Sequence, residues 1–276
     1  MQDYKTKKRF GQHFLNDHSV IEKLIYEINP KPNEKIVEIG PGLGALTFPL
    51  LDKIDSLNVV EIDRDVIARL QQKNNPKLNI HGVDALKFDF RTLLQDESSD
   101  TKLRVVGNLP YNISTPLIFH LLEYRHQISD MHFMLQNEVV NRITAEPGSK
   151  TFGRLSVMVQ YFCNCEYLFF VGPESFSPPP KVDSAILKLT PWSELPFLAN
   201  DEDHLSRLVA QAFSMRRKTL RNNLKKILTA EQIETAGIDP SLRAESLSVK
   251  DFVTLSNLSS SLESNLDSNT EHDIKT

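Results

Sequence analysis

Apolar residues in the first half of the chain fall into short runs, separated by stretches in which they recur every three to four positions. The short runs predict strands and the longer stretches predict helices. The predicted strands are 35–39, 57–62, 78–81, 103–106 and 131–135, and the helices between them are 45–54, 64–73 and 114–124. A further helix, capped by Asp17, precedes them and ends at Asn29-Pro30. Such alternation is typical of an α/β fold with a doubly wound, mostly parallel sheet.

The later part of the chain changes character after Pro191. Before it lie a predicted helix at 154–162 and strands at 166–171 and 184–189, and these two strands could close the sheet edge as an antiparallel pair. After it come predicted helices at 204–213, 218–228, 231–236 and 249–255. We therefore expect a first domain at 1–191, a small helical domain at 192–256, and a disordered tail at 257–276, where polar residues predominate.

The charge and the ends of the chain exclude several classes of protein. The net charge is −4 over 276 residues, so any nucleic-acid partner must be held by local basic patches. The first residues lack the apolar segment of a secretory leader, and no apolar run is long enough to span a bilayer. We expect a cytoplasmic monomer that does not bind membranes.

The cysteines and histidines give no indication of a metal centre. Cys163 and Cys165 lie in an apolar stretch, and no second Cys/His pair is spaced to complete a four-ligand zinc site. We interpret them as buried thiols. The eight histidines show no triad or metal spacing, so we assign none of them a proton-transfer role.

The first predicted strand leads into a glycine-rich segment, GPGLGA at 40–45, which precedes a helix. Glycines there allow a tight turn and a close approach of a ligand to the backbone. Glu61 ends the second strand and could accept from a ribose diol, while Asp84 follows the third strand and could accept from an adenine amino group. A solvated carboxylate at Glu61 and a turn cap at Asp84 are the alternatives. The same glycines also fit a nicotinamide-dependent dehydrogenase.

The segment after the fourth strand favours a methyltransferase that acts on adenine. Asn108, Leu109, Pro110 and Tyr111 follow that strand at the carboxyl end of the sheet, where ligands bind in such folds. The 6-amino group of adenine is a poor nucleophile, because its lone pair is delocalised into the ring. An Asn side-chain carbonyl and a backbone carbonyl from Leu109-Pro110 could take its two N–H bonds and direct the lone pair at a methyl group. Tyr111 would stack on the base. A proline turn that merely closes a strand is the alternative.

Five ordered segments of the chain resemble those of a known family. They are GQHFLND (11–17), VEIGPGLG (37–44), GNLPYNISTP (107–116), FSPPPKVDS (176–184) and FSMRRKTL (213–220). From about Lys8 to Leu255 the chain resembles the KsgA-type small-subunit ribosomal RNA adenine dimethyltransferases. The resemblance implies a Rossmann-like class I methyltransferase fold that uses S-adenosylmethionine. It also implies a target of two adjacent adenosines in the 3′-terminal hairpin loop of small-subunit rRNA, within an assembling 30S particle.

The resemblance also implies roles for individual residues. The cofactor contacts of the family fall on His13, Leu15, Gly40, Glu61, Asp84 and Asn108. The first position is commonly Asn in the family, so the hydrogen bond of His13 is left open. The target-base pocket falls on Asn108, Leu109, Pro110 and Tyr111, with Phe176 as a second aromatic face. Phe176 as plain core is the alternative.

Two groups of basic residues are candidates for RNA contact. Lys7, Lys8 and Arg9, with Lys5, make a basic arm ahead of the cofactor residues. Arg217, Arg221 and Lys225 recur every fourth residue, which on one helix would align them opposite Leu220, Leu224 and Leu228. A solvated helix face is the alternative for the second group.

Two further functions compete with small-subunit dimethylation. A large-subunit rRNA adenine methyltransferase of the macrolide-resistance type looks similar through the cofactor half, although the 213–220 segment favours the small-subunit family. The chain could also act mainly as a ribosome-assembly factor that binds RNA. A dehydrogenase leaves the Asn108–Tyr111 segment unexplained.

Overall fold

The computed structural model describes residues 13–95 and 97–273, and for 263–273 only the backbone. The strands are β1 (Phe14–Leu15), β2 (Lys35–Ile39), β3 (Leu57–Val60), β4 (Leu78–His81), β5 (Leu103–Asn108), β6 (Ile128–Gln136), β7 (Cys163–Val171), β8 (Phe176–Ser177) and β9 (Ser184–Pro191). The helices are α1 (His18–Ile28), α2 (Thr47–Leu51), α3 (Arg64–Gln72), α4 (Ser114–Leu122), α5 (Asn137–Ile143), α6 (Arg154–Phe162), α7 (Glu202–Ala212), α8 (Leu220–Asn223), α9 (Ala230–Thr235) and α10 (Val249–Asp273).

Seven strands form one sheet in the order β4-β3-β2-β5-β6-β9-β7. The first five are parallel, whereas β9 pairs antiparallel with both β6 and β7. Strand β2 is the middle one of the five parallel strands, and its residues from Ile36 to Ile39 are at most 2% exposed. Buried parallel strands of this kind read as near-continuous apolar runs, which explains why the pattern predicted them. The α/β fold and the antiparallel edge pair are confirmed.

By its internal contacts the chain divides into two units. Of the described residues, the first unit comprises those of 13–140 together with Cys163–Ser193, and the second comprises Asn141–Phe162 and 194–273. This differs from the expected domains at 1–191 and 192–256, because α6 belongs to the second unit. In that unit α6 lies against helices α7 and α10, and the Tyr161 hydroxyl accepts from the backbone N–H of Ala199 at 3.2 Å.

The predicted helix at 218–228 is wrong, because the α-helical part ends at Asn223. The backbone carbonyl of Asn223 accepts from the side chain of Gln211 at 2.8 Å. Ile227 instead donates to Leu224 at 2.7 Å. The Asn223 amide group also donates to the carbonyls of Ala212, at 2.7 Å, and Met215, at 3.1 Å. This buried asparagine therefore replaces helical hydrogen bonds with longer-range ones.

The first residues of the tail predicted to be disordered, 257–276, are packed within α10, which continues to Asp273. Ser259 is 1% exposed and pairs with the imidazole of His204 at 2.6 Å. Asn257 donates to the Leu198 carbonyl at 2.9 Å and accepts from the Asn200 N–H at 2.7 Å. Partners from an earlier segment of the same unit thus form hydrogen bonds with these polar side chains. The polar composition of the segment alone suggested disorder. Over the described residues, no helix is long and apolar enough to span a membrane.

Candidate active site

A cavity of about 340 Å³ lies at the carboxyl ends of the parallel strands in the first unit. Its lining includes every residue proposed for cofactor contact, namely His13, Leu15, Gly40, Glu61, Asp84 and Asn108. It also includes Leu109, Pro110 and Tyr111. Residues from distant parts of the sequence meet here because parallel strands bring their carboxyl ends to one edge of the sheet.

The glycine-rich turn after β2 is shaped by close contacts. Gly40 donates its N–H to the carbonyl of Val60 at 3.0 Å, which ties the turn to β3. Gly42 has a φ of 54°, and a Cβ there would lie 2.9 Å from Cδ1 of Phe14. A side chain at this position would be strained and would also push the Phe14 ring. The turn therefore requires glycine to leave this part of the cavity open.

Glu61 and Asp84 follow neighbouring strands β3 and β4, and local amides orient both carboxylates. Oε1 of Glu61 accepts from the N–H groups of Ile62 and Asp63, each at 2.8 Å. Burial raises the pKa of Glu61, while these hydrogen bonds oppose the rise. Oδ1 of Asp84 accepts from the N–H of Leu86 at 3.0 Å, so Asp84 is a turn cap and also lines the cavity. Carboxylates held in this way can accept from a ligand as well.

Glu38, on β2, also lines the cavity, although the sequence pattern assigned it no role. It is 2% exposed, and its Oε2 accepts from the Thr47 hydroxyl at 2.6 Å. Burial raises the pKa of Glu38 to about 8, so the carboxyl group is mostly protonated at neutral pH. The sequence signal for such a residue is an acidic side chain inside an apolar strand, because acidic residues are rarely buried unless they have a partner.

Asn108 ends β5 with its side chain already held on one side. Its Nδ2 donates to the backbone carbonyl of His13 at 3.0 Å, which leaves the amide oxygen as the acceptor for a ligand. The carbonyl of Pro110 accepts from the Ile113 N–H at 3.1 Å. Of the two carbonyls considered, that of Leu109 is therefore the better candidate for the second acceptor. The close packing of β5 on β2 requires Gly107, where a Cβ would lie 2.5 Å from the Ile39 carbonyl oxygen.

The half-buried Tyr111 is fixed by its hydroxyl and by one ring face. The hydroxyl pairs with Oγ of Ser184 at 2.9 Å. The ring stacks against the imidazole of His13, with centroids 5.9 Å apart and planes 24° from parallel. Burial raises the pKa of Tyr111, so its hydroxyl stays neutral. Ser184 closes the 176–184 segment and is a further site residue that the pattern did not single out.

A two-stranded antiparallel ribbon joins the 11–17 and 176–184 segments. Phe14 of β1 pairs with Ser177 of β8, and Leu15 pairs with Phe176. Nδ1 of His13 lies 2.8 Å from the carbonyl of Pro178. The ribbon places His13 and Leu15 at the cavity. Each of its strands has only two residues, which is too short for periodicity to predict.

Phe176 does not line the cavity. Its side chain is 3% exposed and packs in the hydrophobic core with Leu15, Phe169 and Val171. The structure places Phe176 in the core, and its role as a second aromatic face of the base pocket stays a prediction.

The basic residues proposed for RNA contact divide into two groups. Lys7, Lys8 and Arg9 lie outside the described residues. Arg217, Arg221 and Lys225 are all exposed, but only Arg221 is in α8, so they do not share one helix face. Within the described ranges none of the three forms an ion pair, whereas their neighbour Arg216 pairs with Glu245 at 3.2 Å.

The cysteines are buried or partly buried thiols. Burial raises the pKa of Cys163 to about 12 and also raises that of Cys165. Among the side chains that the structure describes, in residues 13–95 and 97–262, no cluster of three from His, Cys, Asp or Glu is arranged to hold a metal ion.

Comparison with known proteins yields a family and solved structures of the same fold. A family model described as ribosomal RNA adenine dimethylase matches residues 3–260. Ribosomal RNA small subunit methyltransferase A of Alcanivorax borkumensis is 57% identical over 260 residues, covering 94% of this chain and 92% of that protein. The protein of the same name from Hydrogenovibrio crunogenus is also 57% identical, covering 94% and 98%.

Two solved structures extend the comparison. A dimethyladenosine transferase from Plasmodium falciparum superposes with a TM-score of 0.75 at 28% identity, covering 88% of this chain and 96% of that one. The 23S rRNA methyltransferase ErmE superposes with a TM-score of 0.71 at 23% identity, covering 90% and 99%. The likeness to ErmE is one of fold alone.

Proposed function

The chain belongs to the ribosomal RNA adenine dimethylase family, and from this premise we propose that it dimethylates the 6-amino groups of two adjacent adenosines in small-subunit rRNA. We place them in the 3′-terminal hairpin loop, within an assembling 30S particle, and S-adenosylmethionine supplies the methyl groups. The observation that carries the proposal is the fixed amide of Asn108. Because its nitrogen is bound to His13, its oxygen is presented as an acceptor.

The lining of the cavity suits the cofactor. Glu61 and Asp84 place carboxylates after neighbouring strands, where one can accept from a ribose diol and the other from an adenine amine. The turn at Gly40 and Gly42 lets the backbone approach the ligand without side chains. When bound, S-adenosylmethionine supplies an activated methyl group on a sulfonium with a neutral leaving group.

The residues after β5 hold the base. Asn108 and the Leu109 carbonyl can accept the two N–H bonds of the target amine, which returns electron density to nitrogen and orients its lone pair. Tyr111 offers a ring face for stacking, a contribution of about 1–3 kcal/mol in comparable single-strand sites. Orientation of this kind can lower a barrier by roughly 7–11 kcal/mol. We assign no general base, because the leaving group is a neutral thioether.

The small-subunit target draws support from the relatives at 57% identity, whose names specify that subunit. A large-subunit target has only the fold likeness to ErmE in its favour. The exposed side chains of Arg217, Arg221 and Lys225 would contact phosphates of the RNA. An adenosine in a hairpin loop is poorly stacked, so moving it out of the loop costs little free energy.

The test is methylation of separated ribosomal particles that lack the modification. With labelled S-adenosylmethionine we expect small-subunit particles to be labelled and large-subunit particles to remain unlabelled. Label in large-subunit RNA would overturn the proposed target. A matched pair of variants, Asn108→Ala in the site and Asn79→Ala on exposed β4, shows whether the label depends on this site.

A cell-based experiment distinguishes a role mainly in ribosome assembly from a role in methylation. Asn108→Ala is expressed in a strain that lacks the enzyme, and subunit maturation is followed. Maturation restored without methylation would show that RNA binding is the principal function.

A further inference from the structure

The carboxylate of Asp17 binds two segments of the first unit at once. Its Oδ1 accepts from the N–H and the hydroxyl of Ser19, at 2.9 and 2.7 Å, and thereby caps helix α1. Its Oδ2 accepts from the hydroxyl of Ser175, just before β8, at 3.0 Å. The hydroxyls of Ser19 and Ser175 hold the pKa of Asp17 below its ordinary value, so the carboxylate stays ionised at neutral pH. Hydrogen bonds to an ionised acceptor are stronger than those between neutral groups.

Ser175 is linked to the same segment a second time, through its backbone. Its carbonyl accepts from the N–H of Asn16 at 3.0 Å, and the residue is only 3% exposed. The β1–β8 ribbon follows directly, beginning with the pair of Leu15 and Phe176. The hydrogen bond between Asp17 and Ser175 therefore joins the ribbon to the amino end of α1.

The ribbon carries residues that we expect the cofactor to contact. His13 and Leu15 both line the cavity, and the His13 carbonyl also accepts from Nδ2 of Asn108. Asp17 and Ser175 themselves do not line the cavity. A change in the angle between the ribbon and α1 would thus move several cavity residues together, although neither partner of the hydrogen bond touches the ligand.

We propose that Ser175 is a positioning residue for S-adenosylmethionine, acting through Asp17 and the β1–β8 ribbon. This inference rests on the proposed function and goes beyond it, because it assigns part of the cofactor affinity to a contact outside the cavity. Removal of the Ser175 hydroxyl leaves the cap of α1 on Oδ1 and the backbone pairs of the ribbon in place. Without the hydrogen bond the ribbon adopts more orientations, and the cofactor must select the one that it fits, which lowers its apparent affinity.

Three variants separate this hydrogen bond from general stability. Ser175→Ala removes the donor. Asp17→Asn keeps an oxygen for the cap of α1, and its amide nitrogen can donate to the Ser175 hydroxyl, so the link is retained with its direction reversed. Ser156→Ala is the matched control, because Ser156 is also buried and does not line the cavity. Its hydroxyl donates to the carbonyl of Arg142 and accepts from the N–H of Gly153, both in the second unit.

The measurements are the dissociation constant of S-adenosylhomocysteine, by calorimetry, and the KM and kcat for S-adenosylmethionine in methylation of small-subunit particles. We expect Ser175→Ala to raise the dissociation constant and the KM about 2- to 10-fold, the range that one hydrogen bond can account for. The kcat at saturating cofactor should change less, because the bound cofactor selects the orientation that it fits. Asp17→Asn should have a smaller effect than Ser175→Ala. Ser156→Ala should lower the free energy of unfolding but leave the dissociation constant and the KM unchanged.

Each contrary outcome has a distinct meaning. An unchanged dissociation constant in folded Ser175→Ala would overturn the inference. An equal rise in Ser156→Ala would also overturn it, since the effect would then follow stability rather than the ribbon. Equal rises in Asp17→Asn and Ser175→Ala would show that this hydrogen bond does not position the ribbon. Absence of methylation of small-subunit particles by the wild-type protein would overturn the proposed function itself, whereas the calorimetric comparison does not depend on the RNA.

Discussion

The two ends of strand β5 carry polar side chains that differ in how many hydrogen-bond partners they have. Near the amino end, the guanidinium of Arg104 donates to Asp130 at 2.9 Å, to Glu34 at 2.7 Å and to the carbonyl of Ile28 at 2.6 Å. At the carboxyl end, the amide of Asn108 is bound through its nitrogen, and its oxygen faces no such set of partners in the described residues. Saturated pairing stabilises the fold, whereas an acceptor held in place but left open is suited to bind a ligand.

The largest effect is expected at the amino end. Arg104→Ala leaves the carboxylates of Asp130 and Glu34 without their partner, in a site where Arg104 is only 9% exposed. We expect the free energy of unfolding to fall by about 3–5 kcal/mol. The measurement is denaturant unfolding at neutral pH. Arg91→Ala, which breaks an exposed pair with Asp89, should change the free energy of unfolding little, because solvent screens that pair. A similar small loss for Arg104→Ala would contradict the comparison.

Asn108→Ala should act on the reaction and leave the fold nearly unchanged. By removing one positioned hydrogen-bonding group it should lower kcat by roughly 10²- to 10³-fold. The check is steady-state methylation of small-subunit particles, with unfolding measured on the same samples. Asn79→Ala serves as the control. Loss of stability comparable to that of Arg104→Ala, with kcat retained, would assign Asn108 a structural role.

Two buried titratable groups should change stability with opposite signs of pH dependence. The pKa of Glu38 is raised from 4.5 to about 8, so unfolding releases a proton and its contribution to stability is lost as pH rises between these values. The pKa of His132 is lowered by burial from 6.5 to about 4, so stability is lost as pH falls between those values. Each slope should approach about 1.4 kcal/mol per pH unit.

Glu38→Gln and His132→Gln isolate the two slopes. Glu38→Gln should remove the loss above pH 4.5, and His132→Gln should remove the loss below pH 6.5, in urea unfolding across pH 4 to 8. Parallel curves for wild type and either variant would show that the group titrates alike in the folded and unfolded states.

The smallest effect is expected at the exposed basic residues of the second unit. If Arg221 contacts a phosphate, Arg221→Ala should reduce the slope of log affinity against log salt by about 0.7 to 0.9. Binding of small-subunit particles over a range of salt concentrations measures this slope. Lys250→Ala, which removes an exposed charge on α10, should leave it unchanged. An equal slope for both variants would identify the Arg221 surface as a solvated face.

The parallel strands and most of the cavity lining could be predicted, because both follow from local patterns. Apolar runs mark buried strands, and Glu61, Asp84 and Asn108 lie at or just after strand ends that share one edge of the sheet. Glu38 could also have been predicted from the sequence, because it is an acidic residue within such an apolar run.

Other features depend on contacts between distant residues. The β1–β8 ribbon pairs two-residue strands, and the burial of Phe176 follows from that pairing rather than from its own motif. The helix expected at 218–228 ends at Asn223, whose carbonyl accepts from the distant side chain of Gln211. The continuation of α10 depends on partners such as His204 for Ser259. Local periodicity contains no information on these hydrogen bonds.

The most direct test of the account is the position of the methyl groups on the base. Two acceptors that hold the amine direct transfer to the exocyclic nitrogen, although the ring nitrogens of free adenine are the better nucleophiles. Labelled small-subunit RNA is digested to nucleosides and fragments, which are identified by mass spectrometry. We expect N6,N6-dimethyladenosine at two adjacent positions of the 3′-terminal hairpin loop. Methyl groups on a ring nitrogen, or on another nucleoside, would contradict it.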